Sequence, residues 1–166
     1  MFSVSATTRA PRPGEVDGVH YHFMDRPAFD RLVSEDAFVE HAEVHGNCYG
    51  TLKSEVLRRM DEGQNVLLDI DTQGALNVMA SGMPCVSVFI LPPSFTALRS
   101  RLEGRGTETA ESLARRMGNA RHEVSLMGRY DYIIVNDDLD TAYAQLRAVT
   151  LAEKQRSTRF MPAIGE

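Results

Sequence analysis

The sequence predicts an α/β fold built on a parallel sheet with helices on both faces. Three observations predict it. From Leu52 onward, helical patterns alternate with short apolar runs. Those runs, at residues 66–70, 85–91 and 132–135, are almost continuously apolar, as strands buried on both faces are. Glycines punctuate the ends of the helical patterns, at Gly63 and Gly82.

The elements follow in chain order. From Ser3 to about Leu52 the chain is rich in turns and short strands. Pro13-Gly14 and Asp17-Gly18 are turn pairs, and Asp-Gly favours a tight hairpin. Residues 19–23 then alternate as a strand does. A short helix is expected over 27–34 and a strand over 38–44. Leu52, Val56 and Met60 mark one helix face. Residues 73–80 are helical, and Ser94 is placed to cap a helix carrying Leu98 and Leu102. Leu113, Met117, Ala120 and Val124 recur at helical spacing, and a last helix is expected from about Thr141. Ligands of parallel sheets bind at the carboxyl ends of strands. Asp71 and the run Asn136-Asp137-Asp138 stand at such ends, although a turn and helix cap explains that run equally well.

Composition narrows the function classes. The 166 residues are 43% hydrophobic and 25% charged, enough for one domain with a real core. A net charge of -5 argues against nucleic-acid binding by bulk electrostatics, so any anion must be gripped by a local arginine cluster. The two cysteines, Cys48 and Cys85, are too few for a disulfide framework and match no zinc spacing. They fit packing residues in a reduced, cytoplasmic setting. No apolar run is long enough to span a membrane, and the N-terminus carries no signal-peptide pattern.

Two clusters carry chemistry. In Thr8-Arg9-Ala10-Pro11-Arg12-Pro13-Gly14-Glu15, two guanidinium forks flank a stiffening proline. Such forks match phosphate oxygens, and a rigid loop lowers the entropy cost of holding them. Tyr21 and Tyr49 offer phenolic donors beside them. The second cluster is Glu40, Thr51 and Asp71 with Ser5. Guanine shows N1–H and N2–H2 as donors and O6 as an acceptor. Carboxylates accept from the former, hydroxyls donate to the latter, and adenine presents the opposite pattern. Taken singly, each residue has a plainer reading: surface arginines on a solvated loop, a strand-surface charge for Glu40, a helix cap for Asp71.

Taken together, the stretches resemble one family. Residues 5–18 followed by Tyr21 and Phe23 resemble the signature of guanylate kinases. So do residues 38–40, 46–51, 69–74, 91–94, 101–106 and 134–138, in order and spacing over about residues 3–155. The resemblance implies a P-loop NTPase-like parallel sheet core with a small GMP-binding subdomain at 3–52, core segments at 53–96 and 127–156, and a lid at 97–126. It implies transfer of the γ-phosphoryl of ATP to GMP, with Mg2+. Arg9, Arg12, Tyr21 and Tyr49 would hold the GMP phosphate; Ser5, Glu40, Thr51 and Asp71 would hold the guanine. Arg101, Arg105 and Arg116 would close on the ATP phosphates as catalytic cations. GMP and ATP are the partners implied, with no nucleic acid or membrane; oligomeric state is not implied.

One departure stands out. The sequence contains no G-x-x-x-x-G-K-[ST] phosphate loop. The expectation is that a strand-loop-helix unit of roughly 30 residues precedes this segment in the full family pattern. The chain as given would then be weak or inactive as a kinase. A non-catalytic module that uses the fold to bind GMP or a phosphorylated partner is the alternative.

Overall fold

Strand β1 (Ala6–Thr7) lies between two neighbours in a four-stranded sheet ordered β2-β1-β4-β3. The computed structural model describes every residue except 1, 45, 105–108, 161 and 163–166. β2 (His22–Phe23) runs parallel to β1, while β4 (Asn47–Leu52) is antiparallel to both β1 and β3 (Phe38–Val44). The segments 1–85 and 86–166 form two separate compact units.

In the first unit, two apolar clusters occupy the two faces of β3. One holds Ala6, Phe29, Phe38 and Cys48. Phe29 comes from helix α1 (Arg26–Ser34), whose N-cap Asp25 accepts from the Ala28 N–H at 2.8 Å. The other holds Val39, Val56 and Val78, with Val66, Leu68 and Ile70 against it. Val56 is on α2 (Lys53–Asp61) and Val78 on α3 (Thr72–Ala80).

Three expectations change here. Residues 66–70 do not form a strand. Only Leu67 bridges, to Phe2, and the Ser3 N–H donates to the Leu67 carbonyl at 3.1 Å. A strand is no longer than the ladder of its partner, and one bridge leaves the rest merely extended. Burial along it alternates, with Leu68 and Ile70 packed and Leu67 and Asp69 exposed. The Asp17-Gly18 hairpin is also absent. The Val16 carbonyl accepts from the Val19 and His20 N–H groups, and the Val16 N–H donates to His20 Nδ1. That local turn consumes the groups a hairpin ladder would use, so β2 starts only at His22.

The second unit contains a parallel pair, β5 (Val88–Leu91) beside β6 (Tyr132–Val135), with Val88 opposite Tyr132 and Leu91 opposite Val135. The expected strand from Cys85 is shorter, because Ser87 is tied instead to the Asp131 carboxylate by its N–H and its hydroxyl. Ile134 and Phe89 are buried, whereas Ile133 and Val135 are about half exposed, so this pair buries one face. Helices α4 (Phe95–Gly104) and α5 (Ala110–Ser125) pack on each other, and α6 (Leu139–Lys154) packs on β6. The Ala97 N–H donates to Ser94 Oγ, as a cap at Ser94 requires. Asp138 caps α6, so the cap reading of the Asn-Asp-Asp run holds for its last residue.

Candidate functional site

An irregularity in β3 builds the site. Phe38 lies opposite Leu52, but Glu40 lies opposite Thr51, so two steps on β3 match one step on β4. Such a bulge breaks the alternation of faces. Phe38 therefore points to one cluster while Val39 and Glu40 both turn to the other side, which explains three successive buried residues. On that second face Glu40, Ala42, Val44 and Tyr49 line a small recess with Ser5, Tyr21, Asp69, Ile70 and Asp71; its volume is about 170 Å³.

Glu40 is the recess's buried charge, 6% exposed. Thr51 Oγ1 donates to its Oε1 at 2.7 Å. Loss of hydration raises the Glu40 pKa above the ordinary carboxylate value, the Thr51 bond opposes the rise, and the nearby Asp71 charge adds to it. Asp71 is the N-cap of α3, with Oδ1 accepting from the Gly74 N–H at 2.8 Å. One side chain thus both caps α3 and lines the recess. A hydroxyl has a single proton to give. That of Thr51 goes to Glu40, so in this arrangement Thr51 orients a carboxylate instead of donating to a ligand oxygen.

The arginine loop adjoins the recess. Thr7 Oγ1 donates to the Cys48 carbonyl at 2.9 Å, and the Cys48 N–H donates to Thr8 Oγ1 at 2.8 Å, which fixes the loop's origin on β4. Further on, the Glu15 N–H donates to the Arg12 carbonyl at 3.0 Å, closing a turn over Pro13 and Gly14. Gly14 has φ +86°, the left-handed value that a type II turn demands at its third residue. The turn brings Glu15 back beneath both arginines. Arg9 Nη1 and Nη2 donate to Glu15 Oε2 and Oε1 at 3.0 and 2.8 Å, and the Arg12 N–H donates to Oε2 at 2.6 Å. These bonds, Arg9 foremost, hold the Glu15 pKa down to about 2.

Arg9 also stands over the Tyr21 ring, 5.2 Å from its centroid, and Tyr21 meets Tyr49 edge-on at 6.1 Å. Its Nη1 gives a further bond to the Ala10 carbonyl. Of the five guanidinium N–H donors, the Nε–H and one Nη2–H remain outside these bonds. They form the second edge of the fork, and a hydrogen bond between the guanidinium and the Tyr49 hydroxyl contributes to the raised Arg9 pKa, though less than Glu15. The Arg12 side chain is exposed on the turn.

All eight residues expected to hold the acceptor nucleotide fall in the first unit. Five line the recess, Thr51 stands behind Glu40, and Arg9 and Arg12 occupy the adjoining loop. The expected lid residues fall in the second unit. Arg101, on α4, donates to the carbonyls of Asn136 at 2.8 Å and Asp137 at 3.3 Å, just past the carboxyl end of β6. Arg116 is half-buried on α5, and Arg105 lies outside the described residues. Sequence reasoning did not assign roles to Glu15 and Asp69. The spacing of Glu15 three residues after Arg12, across Pro-Gly, was the available signal for the first.

An acidic recess beside an arginine fork, on an α/β chain, fits the class of nucleoside monophosphate kinases. Comparison with known proteins narrows that class. The family model for guanylate kinase matches residues 1–153. The guanylate kinase of Clostridium perfringens (strain SM101) is 51% identical over 160 residues, which are 96% of this chain and 74% of that protein. The guanylate kinase of Alkalilimnicola ehrlichii is 51% identical over 165 residues, 99% of this chain and 81% of that one. The crystal structure of guanylate kinase from Anaplasma phagocytophilum superposes with a TM-score of 0.82 at 39% identity, covering 96% of this chain and 78% of that one. The chain belongs to the guanylate kinase family.

Proposed function

We propose that the chain serves guanylate kinase chemistry, with GMP as acceptor and ATP as phosphoryl donor: its residues supply the GMP site, and with no G-x-x-x-x-G-K-[ST] loop in its sequence it turns over weakly or not at all by itself. The observation that carries the reading is the buried Glu40 carboxylate, aimed by Thr51 into a recess that Asp71 and Ser5 also line, beside the Arg9 fork. Glu40 and Asp71 accept from guanine N1–H and N2–H2. Ser5 donates to O6, a bond adenine's amino group cannot accept. Arg9, Arg12, Tyr21 and Tyr49 grip the phosphate.

In the reaction an oxygen of the GMP phosphate attacks the γ-phosphorus, the bond from that phosphorus to the β-phosphate oxygen breaks, and GDP and ADP result. The acceptor's own phosphate is the nucleophile, so no side chain need become one, and the protein positions groups and neutralises charge. We assign Arg101, Arg105 and Arg116 to the charge on the ATP phosphates. Mg2+ belongs to the nucleotide substrate, as the ATP complex. Among the described residues no group of three or more His, Cys, Asp and Glu side chains is gathered to hold an ion. The two free cysteines suit our placing of the protein in the cytoplasm, and among the described residues no helix is long and apolar enough to cross a membrane.

Equilibrium binding tests the acceptor assignment. GMP should bind with Arg12-dependent affinity, and AMP at least about tenfold more weakly, one buried charge-assisted bond being worth about 1.5–3 kcal/mol. Equal affinities would remove the guanine reading.

A further inference from the structure

Gly74, in the first turn of α3, has no donor or acceptor in its side chain, yet it adjoins both recess carboxylates. A β-carbon at this position would lie 2.5 Å from Glu40 Oε2 and 3.2 Å from both the Glu40 carboxyl carbon and Asp71 Oδ1. Its φ is not in the left-handed region, so backbone conformation does not require glycine here. Space does. The Glu40 carboxylate has Thr51 Oγ1 on Oε1 and the open α-carbon of Gly74 against Oε2.

We infer that Gly74 is a positioning residue for base recognition: its missing side chain is the slot in which the Glu40 carboxylate sits. The inference rests on the reading that Glu40 accepts from guanine. A methyl group at 74 forces one neighbour to move. The α3 backbone is fixed by its own hydrogen bonds and by the Asp71 cap, and Asp71 is held by that same cap. The Glu40 carboxylate is the far end of a side chain with rotatable bonds, and it is the group that gives way. Helix formation does not oppose the change, since alanine is the better helix former. The effect therefore falls on recognition and leaves the fold in place.

The test is titration calorimetry of the wild-type chain, Gly74→Ala, Glu40→Gln and the double variant, each with GMP and with ribose 5-phosphate. Ribose 5-phosphate carries the phosphate without the base. The expected result is a loss of GMP affinity of about tenfold or more in Gly74→Ala (1.4 kcal/mol per tenfold). Ribose 5-phosphate should change by less than about twofold, and the thermal midpoint should stay near the wild type. The double variant should bind GMP no more weakly than Glu40→Gln alone, because residues acting through one contact are not additive. Wild-type GMP affinity in Gly74→Ala, equal weakening of both ligands, additive effects in the double variant, or failure of Gly74→Ala to fold would each overturn the inference. A wild-type chain that does not prefer GMP to AMP would instead remove the guanine reading itself, and the inference with it.

Discussion

Thr51 Oγ1 donates to Glu40 Oε1 at 2.7 Å, from β4 to the residue directly opposite on β3, with both side chains buried. The pairing exists because the bulge after Phe38 turns Glu40 onto the face of Thr51. Thr51→Val keeps the shape and removes the proton. An acceptor left buried without its partner costs about 1–3 kcal/mol. Urea unfolding should show a loss in that range, and GMP should weaken while ribose 5-phosphate does not. Thr51→Ser should retain both properties.

Glu40 also sets a pH dependence. Burial raises its pKa above 4.5, against the pull of the Thr51 bond. The native state then holds this proton more tightly than the unfolded chain does. Stability from this group is greatest at low pH and falls as pH rises from 4.5 through the raised value, then levels. Ligand-free Glu40→Gln lacks that slope and should be at least as stable as the wild type at neutral pH, while binding GMP more weakly. Unfolding curves collected from mildly acidic to neutral pH check the sign. A variant that loses stability at neutral pH would show that the charge holds the fold together.

The Glu15–Arg9 pair has the opposite sign. The Glu15 pKa is lowered to about 2, so its contribution is present above the unfolded value of 4.5 and is lost as pH falls through about 2. An NMR titration of the Glu15 carboxyl carbon should place it near that value, and Arg9→Ala should move it well toward the ordinary range. A titration unchanged by Arg9→Ala would assign the shift to the Arg12 backbone bond.

Arg12→Ala should weaken GMP and ribose 5-phosphate by the same factor, about 1.5–3 kcal/mol for a charge-assisted bond to phosphate. Calorimetry with both ligands reads it. Selective loss of GMP would move Arg12 from the phosphate to the base.

The helices were legible in the sequence, because caps and periodicity are local, and so were most of the residues that the structure gathers around the recess. Strand β6 has the bounds that its apolar run marks, and Ser94 caps the helix it precedes. What escaped was set by partners distant in sequence. The extended segment 66–70 reads as a strand by composition, but its pairing depends on Phe2 and Ser3, which supply one bridge. The bulge in β3 leaves no compositional mark, since Phe38-Val39-Glu40 is compatible with either register. Without it Glu40 would share a face with Phe38. For the same reason Thr51 reads in sequence as a donor to a ligand, while the structure aims its proton at Glu40. The need for glycine at position 74 is likewise visible only once α3 is set beside β3.

The central claim is that this recess reads guanine through Glu40. The most direct measurement is the ratio of GMP to AMP affinity in the wild-type chain and in Glu40→Gln, by calorimetry at neutral pH. An amide turns one acceptor into a donor that faces guanine's own donors. The account predicts a wild-type ratio of about tenfold or more in favour of GMP, collapsing toward unity in Glu40→Gln as one charge-assisted bond is lost. A ratio that survives the substitution would contradict it.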